Sequence, residues 1–123
     1  MPMGKRELAR IERRLIATLT DACETAKSEI KGFTWLTHTA DLNALAQTLK
    51  VTWVFETLAD KKLAQANSKV RILELTAIAL KEADIDLKPS DHTVRFDSEE
   101  ECQRTHGGDW NKRLAQFGAS RGH

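Results

Sequence analysis

The sequence predicts an α+β fold in the order α-β-β-α-β-α, with helices packed on a sheet of about three strands. Three observations carry that reading. Leu49, Val51, Trp53 and Phe55 recur at every second position, the period at which a pleated strand sends its side chains to one face. Leu8, Ile11, Leu15, Leu19, Ala22 and Ala26 recur at steps of three and four, the period of one helical face. After Thr57 the composition turns to Ala, Lys, Leu and Gln, all good helix formers, so a second helical block follows the strand.

In chain order, residues 5–30 read as one long amphipathic helix, with Arg10, Arg13, Arg14, Asp21, Glu24 and Lys27 on its polar side. Gly32 follows and can take the left-handed conformation that a helix end requires. Residues 33–38, Phe-Thr-Trp-Leu-Thr-His, are aromatic and β-branched and read as a strand. A connection with a short helical turn at residues 42–46 leads to the central strand at 49–56. The second helical block carries Leu63, Ala66, Val70, Leu73, Ala77 and Leu80 on one stripe, widened by Ile72, Leu75, Ile78 and Ala79. So wide an apolar surface calls for cover on more than one side, by the sheet and by another helix or a second copy of the chain. Asn67-Ser68 marks a break in it, and Pro89 turns the chain away from helix. Residues 93–97 form a short third strand, with Val94 and Phe96 on one face and Arg95 on the other. Ser98-x-x-Glu101 has capping-box spacing, and three glutamates sit in the first turn that follows, where the helix dipole favours them. Gly107-Gly108 ends that helix, and Asp109 caps a last one bearing Trp110, Leu114 and Phe117.

The 123 residues fit one domain, 1–123, with 117–123 as a frayed tail. Lys and Arg number 19 against 18 Asp and Glu, so the chain as a whole has no polyelectrolyte character. The charge is unevenly spread, with both ends basic and the middle acidic. Lys5, Arg6, Arg10, Arg13 and Arg14 outweigh Glu7 and Glu12 at one end, and Arg104, Lys112, Arg113 and Arg121 outweigh Asp109 at the other. The two cysteines, Cys23 and Cys102, fall in predicted helices rather than in a disulfide framework, which favours reduced thiols and a cytoplasmic setting. No uncharged apolar run is long enough to span a bilayer, so no membrane role is expected.

Chemistry is thinly marked. Cys102-x-x-x-His106 puts a thiol and an imidazole one helical turn apart, but a structural zinc site needs about four ligands, and His38, Asp41 and His92 stand at no diagnostic spacing. Three neighbouring glutamates would raise the Cys102 thiol pKa, against a nucleophile. Asp41, Glu56, Asp60 and Lys62 could form a metal-dependent nuclease centre on this frame, although Thr57-Leu58 stands where such a signature places x-Lys. Gly107-Gly108 follows a helix rather than a strand and is no phosphate loop. No cofactor and no metal are expected.

Gly32-Phe33-x-Trp35-Leu36-Thr37-His38, Val94-x-Phe96-Asp97-Ser98-Glu99-Glu100-x-Cys102 and His106-Gly107-Gly108-Asp109-Trp110-x-x-Arg113-Leu114 together resemble the recurring segments of a family of short proteobacterial proteins labelled "Fis-family transcriptional regulator". The resemblance covers about residues 8 to 115 and brings no established catalytic or binding residues, while the pair of helices around Gly107-Gly108 itself invites a helix-turn-helix reading, with Lys112, Arg113 and Gln116 projecting toward DNA. True Fis proteins are all-helical dimers, and only residues 110–118 are similar to the end of their recognition helix. The residues themselves argue otherwise, since the first helix of such a pair offers only Cys102 for burial and would turn an acidic face to phosphate. The leading expectation is therefore a non-enzymatic bacterial accessory domain that binds a protein partner or itself through the 63–83 helix. The alternative is a nucleic-acid-binding regulator using Arg10, Arg13, Arg14, Lys112 and Arg113; a metal-dependent nuclease comes third.

Overall fold

The computed structural model describes residues 4–116, so Phe117 and the predicted tail at 117–123 lie outside the described residues. Helix α1 spans Lys5–Glu29 and is followed by strand β1, Phe33–Thr39. A 3-10 turn at Leu42–Ala44 and the short helix α2, Leu45–Thr48, lead into β2, Lys50–Phe55. Then come α3, Leu58–Asn67, α4, Lys69–Glu82, β3, Val94–Ser98, α5, Glu99–His106, and α6, Trp110–Gln116. This is the α+β architecture that the periodicities predict, with the second helical block broken at Ser68 as its Asn67-Ser68 pair implies.

The sheet order is β1-β2-β3. β2 pairs antiparallel with β1, Leu36 opposite Trp53, and parallel with β3, Trp53 opposite Phe96. A hairpin-like return joins the first pair, whereas the parallel pair needs the α3–α4 crossover between its strands. The turn from α1 into β1 depends on Gly32, whose φ of 79° is costly for any residue with a side chain. Its carbonyl accepts from the Glu56 N–H at 2.8 Å and so ties the start of β1 to the end of β2.

One face of the sheet carries the main core. Val51, Trp53 and Phe55 are fully buried there against Leu15, Leu19, Ala22 and Ala26 of α1 and Ile72, Leu75, Ala79 and Leu80 of α4. Phe33 reaches the same core through an irregularity between Phe33 and Trp35, and its ring lies 5.0 Å from that of Trp53. α1 and α4 run antiparallel, pinned by Glu29 to Arg71 at one end and Arg14 to Asp84 at the other. Burial of α1 begins at Leu15. Of the residues before it, only Leu8 and Ile11 are partly covered, and the rest of the first two and a half turns stands in solvent.

The alternation in β2 predicts one buried face, but residues 51–55 are all buried. The opposite face, carrying Trp35, Val54 and Asp97, is covered as well. Its cover is the α5–α6 pair.

Candidate functional site

The cover on the second face is held by polar groups, and its parts are local to the sequence before they meet in space. Ser98 caps α5 by accepting from the Glu101 N–H at 3.1 Å, while Asp97, just before it, accepts from the Ser98 N–H at 2.8 Å. Gly107 and Gly108, both at positive φ, turn the chain back, and Asp109 starts α6 by accepting from the Lys112 N–H. That reversal lays α6 beside α5 and drops Arg113 into the interior. Its Nε donates to Asp97 Oδ2 at 2.7 Å and its Nη2 to Asp97 Oδ1 at 2.9 Å, a two-point contact that suits a planar guanidinium. Arg113 Nη1 donates to Thr105 Oγ1 at 2.6 Å, and Arg95 reaches Asp97 Oδ2 from the neighbouring strand position at 3.2 Å.

The charges adjust to this arrangement. Burial raises the Asp97 carboxyl, but hydrogen bonds from Arg113 and the Ser98 N–H, with Arg95 nearby, outweigh it and hold the group below its ordinary 3.8. Its hydrogen bond to Asp97 pushes Arg113 further into the charged state. Beside the pair, Glu99 accepts from both indoles, Trp35 Nε1 at 2.7 Å and Trp110 Nε1 at 2.8 Å. The two rings meet edge to face with centroids 5.0 Å apart. Glu100 accepts from the Leu58 N–H at the start of α3, and Glu101 pairs with Lys61 at 2.7 Å. All three acids of the α5 first turn therefore act as internal acceptors. The three sequence segments that carry the resemblance converge on this one cluster.

This overturns one placement expected from the sequence. Arg113 is only 6% exposed and bound to Asp97, so it cannot project toward DNA. Lys112 is exposed on α6. Arg10 and Arg13 are exposed on α1 and make no ion pair among the described residues, whereas Arg14 pairs with Asp84 at 2.8 Å. The two basic stretches do not join: α1 packs on the core face of the sheet and α6 on the other. For the nuclease reading, Asp41 caps the 3-10 turn before β2, and Glu56 lies beyond its far end, roughly 20 Å of strand away. Cys102 is fully buried, and burial raises its thiol pKa, while His106 bonds Thr105 and Gln116. Among the described residues no group of three or more His, Cys, Asp or Glu is placed to hold a metal ion.

What remains open is surface. The apolar width of α4 is mostly spent inward, yet Val70 is 75% exposed and Ile78 48% exposed, as is Leu63 on α3. Val70, Leu73 and Ala77 share one flank of α4, and it leads to a hollow lined by Ala77, Lys81, Ile85 and Leu87. On α1, Arg6, Arg10 and Arg13 fall at i, i+4 and i+7, on the side opposite the buried stripe. Comparison of the chain with protein-family models, with curated proteins and with solved structures finds no match. No helix among the described residues is long and apolar enough to cross a membrane.

Proposed function

We propose that this chain is a non-enzymatic protein-binding module whose partner contact is the outward flank of α4. The observation that supports this most directly is the apolar line Val70, Leu73 and Ala77 running into the Ile85 and Leu87 hollow. Its first residue, Val70, is three-quarters exposed although the domain has already covered both faces of its sheet. The dense polar cluster is a poor competitor for a functional role. Its acids and arginines bond one another and tie α5–α6 to the sheet, which is what a structural clasp does. A Val70→Asp substitution places a charge on that flank without entering the core. Affinity capture with the wild-type chain should retain a protein that the V70D chain, equally stable in thermal unfolding, loses. Retention of the same protein by both would refute the assignment of the contact.

A second reading has its own support. Arg6, Arg10 and Arg13 form an outward basic face on the protruding part of α1, free of ion pairs among the described residues, and suit the phosphates of a nucleic acid. This is what remains of the regulator expectation once Arg113 is assigned to the interior. Titration of duplex DNA should then show affinity that falls steeply with salt and drops on R10A/R13A substitution. Binding that is unchanged in that variant would refute it.

A further inference from the structure

We infer that a second copy of the chain docks on the free edge of β1, running antiparallel to it and joining the two sheets into one of six strands. The surface is distinct from the α4 flank, and the inference does not depend on the reading given to that flank.

The sheet has two edges, and they are built differently. The β3 edge is short, carries Arg95 and Asp97 in its five residues, and is flanked by Gln65 and Lys69 of the crossover helices. Charges and cover of that kind discourage strand addition. β1 has neither charge nor proline nor glycine in Phe33–Thr39, and among the described residues no strand pairs with its outer side. Along this seven-residue uncharged edge the Leu36 backbone is hydrogen-bonded to the Cys23 thiol, and the flanking outward backbone groups are what another strand would pair.

Beside this edge lies an apolar hollow between β1 and α1. Its walls are Ile16, Leu19, Thr20 and Cys23 from the helix and Leu36 and His38 from the strand. Ile16 is 49% exposed there, an apolar side chain placed where an added strand would cover it.

The identity of the occupant follows from the charge order along the same flank. Glu12, Ile16, Thr20, Cys23 and Lys27 step by four, four, three and four and so share the side of α1 that faces β1. Glu12 lies 3.9 Å from His38 at one end of the strand. Lys27 acts on the Cys23 thiol from the other end, its own nearest acid being the exposed Glu24 at 3.6 Å. The flank is thus negative at one end, positive at the other and uncharged between. From Glu12 to Lys27 the helix rises about 22 Å, and the seven residues of β1 extend over about 20 Å. A two-fold axis near Leu36 therefore sets Lys27 of one copy beside the partner's Glu12, and Ile16 beside the apolar middle of the other flank. A pattern complementary to itself under a two-fold rotation specifies a second copy of this chain.

The test is light scattering of the full chain over a dilution series, with amide exchange as a second readout. The expected result is a mass near twice 13.8 kDa that dissociates on dilution, with exchange at residues 34–39 slowing as concentration rises. Ile16→Lys and Lys27→Glu should each weaken the dimer at least tenfold, each keeping the wild-type unfolding midpoint. The charge swap Glu12→Lys with Lys27→Glu should recover most of what Lys27→Glu alone loses. A monomer at millimolar concentration overturns the inference. So does a dimer that I16K and K27E leave unchanged, and if V70D breaks that dimer the α4 flank is its interface instead.

Discussion

Truncating Arg113 to alanine leaves the Asp97 carboxylate buried, with Arg95 as its remaining cation. Breaking a buried ion pair from one side costs about 3–5 kcal/mol, mostly as the penalty of the stranded charge. The expected outcome for R113A is a loss of that order in urea unfolding, and a double variant with D97A that loses much less than the two single losses together. Acid should act on the same pair. Because Asp97 is held below 3.8 in the fold, the unfolded chain takes up a proton first as the pH falls. Its contribution is therefore complete above the ordinary value of 3.8 and disappears as the pH drops through the lowered one, and D97N should flatten that part of the stability profile. Gly32 offers a purely steric counterpart. A methyl group placed there would lie 2.4 Å from the Asp60 carboxyl carbon, on a backbone whose φ of 79° a side chain already disfavours. G32A should destabilise by about 1–3 kcal/mol, and G32A/D60A should recover only the part due to the clash, since the backbone strain remains.

At the scale of the element, local rules were legible wherever one residue and its near neighbours decide the outcome. The α1 period, the Gly32 turn, the break at Ser68, the Ser98 cap and the Asp109 cap all follow from interactions within a few positions in sequence. The capping box is a partial case. Glu101 supplies its N–H to Ser98, but its carboxylate bonds the Ser98 hydroxyl and Lys61 while the Ser98 N–H goes to Asp97. S98A should consequently cost more than the roughly 1 kcal/mol typical of an N-cap, because Glu101 also loses a donor; circular dichroism during thermal unfolding would measure it. What the sequence concealed was the second layer. Arg113 reads as an exposed helical cation, and the three glutamates read as a solvated first turn, because nothing local reveals that Asp97, Trp35 and Lys61 arrive to meet them from 16, 64 and 40 positions away. The available sign was Val54, an apolar residue on the face of β2 that otherwise carries Lys50 and Thr52.

For the whole molecule, the same blindness separates the two surfaces on which the proposed contacts lie. The wide apolar period of the second helical block was visible, but only the fold shows that most of it faces inward and that Val70 does not. The free β1 edge could not be foreseen without the strand order, although its lack of charge is plain in the sequence. With a net charge of +1 the chain has little overall repulsion between copies, which favours self-association over long-range capture of polyanions. Salt then separates the competing readings more sharply than any single substitution. Pairing at β1 would depend on backbone hydrogen bonds and on cover of Ile16, with one weak charge contact at each end, so raising salt from about 50 to about 200 mM should alter the dimer constant by only about twofold to threefold. Nucleic-acid binding through Arg6, Arg10 and Arg13 would displace counterions from about three phosphates, for a log–log slope of about −2.7 and a loss of roughly fortyfold over the same interval. If both behaviours appear in one preparation they should be independent, because the arginines point away from the stripe that α1 buries, while the β1 groove lies along another side of the helix. A dimer that comes apart fortyfold more easily over that interval would show that charge rather than the strand edge holds the two copies together.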